Sequence, residues 1–375
     1  MASRILTTHV GSLPRPKALA ALLIDRDRGK PVDEAAFQEA VTQAVNDAVA
    51  RQVKLGVDIV SDGEMSKIAY SLYPKERLNG FGGQAPPRSK NRESFDFPGW
   101  DAQRVAIMQH RPVCQGPITR KQTDALEIDL RNFRAAVNAT PPTGTFMTAA
   151  SPGVIAAFIP NAYYPTHEAY VNALSEAMRP EYEAIVAAGF DLQLDCPDLA
   201  SSRAGTYAGD TEEEWQRRSA ASIEALNNAT AAIPPERMRM HLCWGNYNGP
   251  HTYDLPLEDV LPTAFRARPA TISFDGANPR HEHEWEVFRD HKLPDGKTIQ
   301  PGVIDSTTNF VEHPKLVAQR IVRYAEIVGR ERVIAGVDCG FATSAEYHPV
   351  DGDICWAKLG VLAEGAKLAS ERLWR

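Results

Sequence analysis

Short apolar runs alternate with longer amphipathic stretches along this chain, and that alternation restricts the fold more than any other feature. Runs ending near Val60, Thr148, Leu194, Leu242, Phe274, Ile304 and Val337 each read as a buried strand. The stretches between them carry helical period and helix punctuation. Phe37, Val41, Val45, Val49 and Val53 recur at every fourth residue before Gly56. Thr211 and Glu214 form a capping box, and Pro314 opens a helix that Gly329 closes. Strand then helix, about eight times over, predicts an α/β fold of the (β/α)₈ TIM-barrel type with N-terminal helices. The rival, an open doubly wound sheet, calls for a glycine-rich phosphate turn that the chain lacks.

A plain barrel needs roughly 250 residues, and this chain has 375. The N-terminal helices and an excursion at about residues 70–113 absorb the surplus. The excursion is rich in Gly, Pro, Arg and Asn, with Phe81, Phe95, Phe97 and Trp100 among them. It is expected to be an ordered lid over the barrel mouth, with a hairpin in it. Without internal repeats or a linker, residues 1–375 read as one domain.

The formal net charge of −7 excludes a polyanion-tracking surface, so no nucleic-acid partner is expected. The N-terminus has no signal-peptide core, and the most apolar stretch, Val154 to Phe158, is far too short to cross a membrane. Five irregularly spaced cysteines argue for a reducing compartment. The expectation is a cytoplasmic protein.

In a parallel barrel the chemistry gathers at the C-terminal strand ends. Those ends here carry Ser12, Asp62 and Glu64, Thr148, Asp195, His241 and Cys243, Asp275, Asp305, and Cys339. His241 and Cys243 lie two apart in one strand, so imidazole and thiol project to the same side. With Cys339 and Asp275 from two other strand ends they would complete a tetrahedral zinc site, provided the strands share a mouth. A thiol-rich zinc suits preparation of an attacking sulfur, whereas hydrolytic zinc more often has His and carboxylate ligands.

Several blocks, in order along the chain, resemble the cobalamin-independent methionine synthase family, in its catalytic C-terminal half and shorter stand-alone relatives. They are Thr8-His9-Val10-Gly11-Ser12-Leu13-Pro14, Asp62-Gly63-Glu64, Leu192-Gln193-Leu194-Asp195, His241-Leu242-Cys243, Pro301-Gly302-Val303-Ile304-Asp305 and Asp338-Cys339-Gly340. The resemblance implies His241, Cys243 and Cys339 as zinc ligands, with Asp275 where the family has a Glu ligand. It implies that Ser12, Glu64 and Asp195 hold the amino acid part of homocysteine. Asp305 and Thr307 are the candidate catalytic residues; Thr307 stands where the synthases carry His. Ala156-Ala157-Phe158 stands where they place a Trp beside folate.

The implied activity is zinc-dependent alkyl transfer to a small-molecule thiol. The favoured form is S-methyl transfer from 5-methyltetrahydrofolate or another donor to homocysteine or a similar thiol. The alternative is thiol–epoxide coupling similar to epoxyalkane:coenzyme M transferases. A third reading, a porphyrinogen-decarboxylase-like barrel, meets an acidic mouth where cations are needed. His281-Glu282-His283-Glu284 with Asp290 and His291 reads as a solvated helix start rather than a second metal cluster, and His9 as a packed strand-end residue.

Overall fold

The computed structural model describes residues 3–87, 90–103 and 110–375. Among the described residues ten strands run in chain order: β1 Leu6–Thr7, β2 Ile59–Val60, β3 Leu78–Gly82, β4 Val113–Arg120, β5 Gly144–Ala150, β6 Asp191–Asp195, β7 Met238–His241, β8 Thr271–Phe274, β9 Thr298–Pro301 and β10 Ile334–Ala335. The chain is α/β with a curled parallel sheet. Six strands pair in the order β2-β5-β6-β7-β8-β9, all parallel, and β1 pairs with β10 in parallel. A single parallel bridge, Thr8–Ile59, joins β1 to β2; Ile299–Val333 and Gly302–Gly336 join β9 to β10. The strands are shorter than the apolar runs that announced them, and the polar residues follow directly on their ends.

The helices lie where their punctuation put them. Asp33 caps Glu34–Lys54 by accepting from the Ala35 and Ala36 amides, and Phe37, Val41, Val45 and Val49 are buried. Thr166 caps His167–Ala187. Both halves of the Thr211/Glu214 capping box form at the start of Glu212–Ala229. Pro314–Val328 ends at Gly329, whose φ of 95° takes the left-handed region that a Cβ disfavours. The long apolar faces of these helices cover one face of the sheet, and a continuous core links them. Among the described residues no helix is long and apolar enough to cross a membrane.

A hairpin does form, but its second strand runs past the end of the excursion: β3 and β4 pair antiparallel, with a register shift between Asn79 and Phe81. Two short helices follow β3, Arg92–Asp96 and Pro98–Asp101. Residues 88–89 and 104–109 of the excursion lie outside the described residues. Its helical part docks on the loop after β7. Buried Glu93 accepts from the Thr252 amide at 2.7 Å and the Tyr247 hydroxyl at 2.7 Å, and the Trp100 indole donates to the Asn248 carbonyl at 3.1 Å.

Candidate metal and thiol site

Ladder register sets the site. Asp195 on β6 pairs with His241 on β7, and His241 pairs with Ser273 on β8, so three polar residues form one row across neighbouring strands. Leu242 and Leu194 fill the alternate face and are fully buried. Two residues past His241 the chain brings Cys243 beside Cys339, whose strand β10 pairs with β1; the sulfurs are 3.5 Å apart. Ligand atoms of His241, Cys243 and Cys339 all lie within 4.8 Å of one another, and all three residues are buried. This is the only such cluster found among the described residues.

The donor set fits a zinc ion. Two Zn–S bonds of about 2.3 Å at a tetrahedral angle place the sulfurs about 3.8 Å apart, close to the spacing present. The His241 Nδ1 lies 3.1 Å from Ser273 Oγ, while its Nε2 is buried and has no partner. An Nδ1–H donated to Ser273 leaves the Nε2 lone pair for a metal, the orienting contact that metal-bound imidazoles commonly make. Asp275 Oδ1 is likewise buried and unpartnered, and Oδ2 accepts weakly from the Trp244 amide at 3.4 Å. Asp275 is outside the tight three-residue cluster.

The electrostatics point the same way. The hydrogen bond with Cys339, then burial, pushes the Cys243 thiol far up. The reciprocal bond lowers Cys339, but burial and the Asp275 charge outweigh it and its thiol too is raised. Burial and then Cys243 push Asp275 well above the carboxylate range. Burial, with Arg239 adding to it, lowers His241 to about 3, so its imidazole is neutral. A divalent ion held by these residues would reverse every one of these preferences except the neutral histidine, which it needs.

Asp338 holds the ligand loops together. Its carboxylate accepts from the amides of Gly276, Ala277 and Asn278, each at 2.8 Å, and so fixes the segment following Asp275 to the residue preceding Cys339. Asn246 ties two further loops, donating to the Gly340 carbonyl at 2.7 Å and accepting from Ser306 at 3.0 Å.

Ser12, Glu64 and Asp195 gather beside the sulfurs. A Cβ on Gly340, next to Cys339, would overlap the Ser12 hydroxyl, so glycine is needed there; a Cβ on Gly11 would overlap Thr148 and crowd Glu64. Glu64 is buried, has the left-handed φ of 57°, and leaves Oε2 without a partner. A non-glycine residue held in that conformation is a strained one, of the kind that clusters at functional sites. Asp195 accepts from Gln193 at 2.8 Å, and burial, reinforced by the Glu64 charge, lifts its pKa to about 8. Asp305 and Thr307 are engaged with each other. Asp305 accepts from the Thr307 amide at 2.9 Å and hydroxyl at 2.8 Å, and from the amide and hydroxyl of Thr308, which turns the loop after β9.

Two features went unseen in the sequence. Lys67, in the turn after β2, is buried among Met65, Ile68 and Ala69 and reaches Thr148; a lone lysine in an apolar turn was its one signal. The second is an ionic chain under the loop after β7. His281, expected at a solvated helix start, is buried. Its Nε2 meets Asp254 at 3.0 Å and its Nδ1 meets Glu284 at 2.7 Å, while His251 meets Asp254 at 2.7 Å. It lies against the Trp244 ring, 4.7 Å away. His9 is a packed residue as expected, bonded to Gln52 at 2.7 Å.

A family model described as "Cobalamin-independent synthase, Catalytic domain" matches residues 5–85. A methionine synthase of Saccharolobus islandicus (strain Y.N.15.51) is 26% identical over 372 residues, covering 98% of this chain and 96% of the relative. A 2-hydroxypropyl-CoM lyase of Xanthobacter autotrophicus is 25% identical over 405 residues, again covering 98% and 96%. In fold, a B12-independent methionine synthase from a Shewanella species, solved with selenomethionine, is similar with a TM-score of 0.75 at 20% identity, covering 99% of both chains. A putative vitamin-B12 independent methionine synthase from Listeria monocytogenes gives 0.66 at 19%, with 99% of each chain covered.

Proposed function

We propose that this chain, a relative of the cobalamin-independent methionine synthases, catalyses zinc-dependent alkyl transfer to a thiol that carries an ammonium group. The observation that carries the reading is the convergence of His241, Cys243 and Cys339 at one buried point. We take the eight parallel strands as one (β/α)₈ barrel and residues 1–375 as one domain, with the excursion over its mouth.

In this reading His241, Cys243 and Cys339 hold the ion, with Asp275 as fourth ligand. When bound, zinc lowers the pKa of an arriving thiol and keeps its sulfur as a thiolate at neutral pH. The chain's own groups do the rest. Ser273 orients the His241 ring. Glu64 Oε2 and Asp195 take the ammonium through charge-assisted hydrogen bonds, and Ser12 sits at the carboxylate end. In the transfer the thiolate supplies the electron pair of the new S–C bond, and the donor's leaving group departs with the pair of the bond that breaks. Asp305 and Thr307 are proposed to shape the donor side through the turn they hold.

Methyl transfer to homocysteine or a similar aminothiol is the favoured reaction. Two carboxylates at the acceptor side support an ammonium over a sulfonate. Of the buried cations nearby, Lys67 donates to Thr148, and Arg15 gives two nitrogens to the carbonyls of Glu64 and Ala342 while its buried Nε has no partner. Thiol–epoxide coupling is the second reading, supported by similarity to the 2-hydroxypropyl-CoM lyase.

The test is zinc content followed by zinc-edge absorption with an acceptor panel. The wild type is expected to hold one zinc per chain, and homocysteine, but not coenzyme M, to add a sulfur to its shell. Cys243→Ser and Cys339→Ser should each lose most of the zinc. Full zinc in either variant overturns the ligand assignment, and a sulfur added by coenzyme M alone moves the reading to epoxide coupling.

A further inference from the structure

Behind Glu64 stands a buried chain of three side chains that a hydrogen-bond inventory orders in only one direction. Lys67 is 4% exposed, and its ammonium donates to the Thr148 carbonyl at 2.7 Å and to Thr148 Oγ1 at 2.9 Å. It also sits 4.4 Å over the Tyr73 ring. An ammonium has no acceptor, so at the Lys67–Thr148 contact the hydroxyl must accept. The single hydroxyl proton of Thr148 then goes to Glu64 Oε1, 2.8 Å away. Glu64 Oε1 is thereby satisfied, and its buried twin Oε2 is the one left without a partner.

The backbone of Glu64 is held as firmly. Its amide donates to Asp62 at 3.0 Å, and its carbonyl accepts from Arg15 at 2.8 Å and from the Lys67 amide at 3.1 Å. Side chain and main chain are both fixed before any ligand arrives.

We propose that Lys67 is a positioning residue for acceptor recognition: it fixes the direction of the Thr148 hydroxyl, which orients Glu64 so that one carboxylate oxygen faces the acceptor's ammonium. The inference rests on the reading that Glu64 meets that ammonium. Replacing the lysine frees the hydroxyl to turn, and Glu64 loses the contact that holds its rotamer. Preorganisation of this kind lowers the cost of binding rather than adding a contact to the ligand.

The test compares homocysteine with 4-mercaptobutanoate, which keeps thiol and carboxylate but lacks the amine. Both are titrated into the zinc-loaded full chain by calorimetry. The wild type should bind homocysteine at least tenfold more tightly. Lys67→Met and Thr148→Val should each lose most of that preference while retaining one zinc per chain and an unchanged Kd for 4-mercaptobutanoate. Lys67→Arg, which keeps the charge and the donors, should restore part of it. Undiminished preference in a folded, zinc-loaded Thr148→Val overturns the proposal. A wild type with no preference overturns the ammonium reading beneath it as well, so the two failures are distinguishable. A general packing role for Lys67 would weaken both ligands alike, and that result also overturns the proposal.

Discussion

At the mouth, Asp195 sets stability against recognition. Burial and the charge of Glu64 lift its pKa from the ordinary 3.8 to about 8. Between those values the folded protein keeps a proton that the unfolded chain has lost, so stability falls as pH rises through that window. Asp195→Asn removes the titration. The ligand-free variant is expected to melt above the wild type at pH 8, by roughly 1 °C for each ~1 kcal/mol relieved, and to differ little at pH 4. Its affinity for homocysteine should fall about ten- to a hundredfold, the worth of a lost charge-assisted hydrogen bond. A variant that melts below the wild type at pH 8, in a thermal scan over pH, contradicts this account.

The loop after β7 is an element held from two sides. Glu93 of the excursion grips Tyr247 and Thr252, and the chain His251–Asp254–His281–Glu284 secures the far end, with Glu284 accepting from the Leu257 amide at 2.8 Å. Both ring nitrogens of His281 face carboxylates, which only an imidazolium can satisfy. Burial opposes the charge, but the bonds to Asp254 and Glu284 prevail and raise its pKa to about 9. The stabilisation is complete below about 6.5, the unfolded value, and is lost as pH rises through about 9. Limited proteolysis within residues 245–256 should accelerate over that rise, and His281→Gln should cleave quickly at neutral pH with no further pH step. A flat profile in the wild type would rule out the imidazolium. None of this was visible along the chain, because His251 and Asp254 belong to a different loop from His281 and Glu284, and spacing says nothing about loops meeting. The helices Glu212–Ala229 and Pro314–Val328 were legible because Thr211, Pro314 and Gly329 act on their own neighbours. His241 and Cys243 were legible through period two within one strand, whereas Lys67 acts through Thr148, 81 residues away.

Across the whole molecule, the cluster joins loops 96 residues apart, from Cys243 after β7 to Cys339 after β10. A ligand that binds only the folded state adds stability by mass action, about 4 kcal/mol when its concentration is a thousand times its Kd. Chelation is therefore expected to lower the melting temperature by roughly 5 °C. Zinc should restore it and magnesium should not, because thiolates discriminate against hard cations. An unchanged melt in a chelator verified to remove all metal would show that the cysteines stabilise nothing through an ion.

The row formed by Asp195, His241 and Ser273 has a further consequence for the choice of acceptor. Neighbouring strands stand about 4.8 Å apart wherever β-ladders form, so the carboxylate on β6 and the imidazole on β7 are spaced by backbone hydrogen bonding rather than by flexible side chains. On the proposed reading that spacing works as a ruler for the acceptor: its amine must reach one strand while its sulfur reaches the next. Cysteine, one methylene shorter than homocysteine, is then expected to bind more weakly without any steric gate.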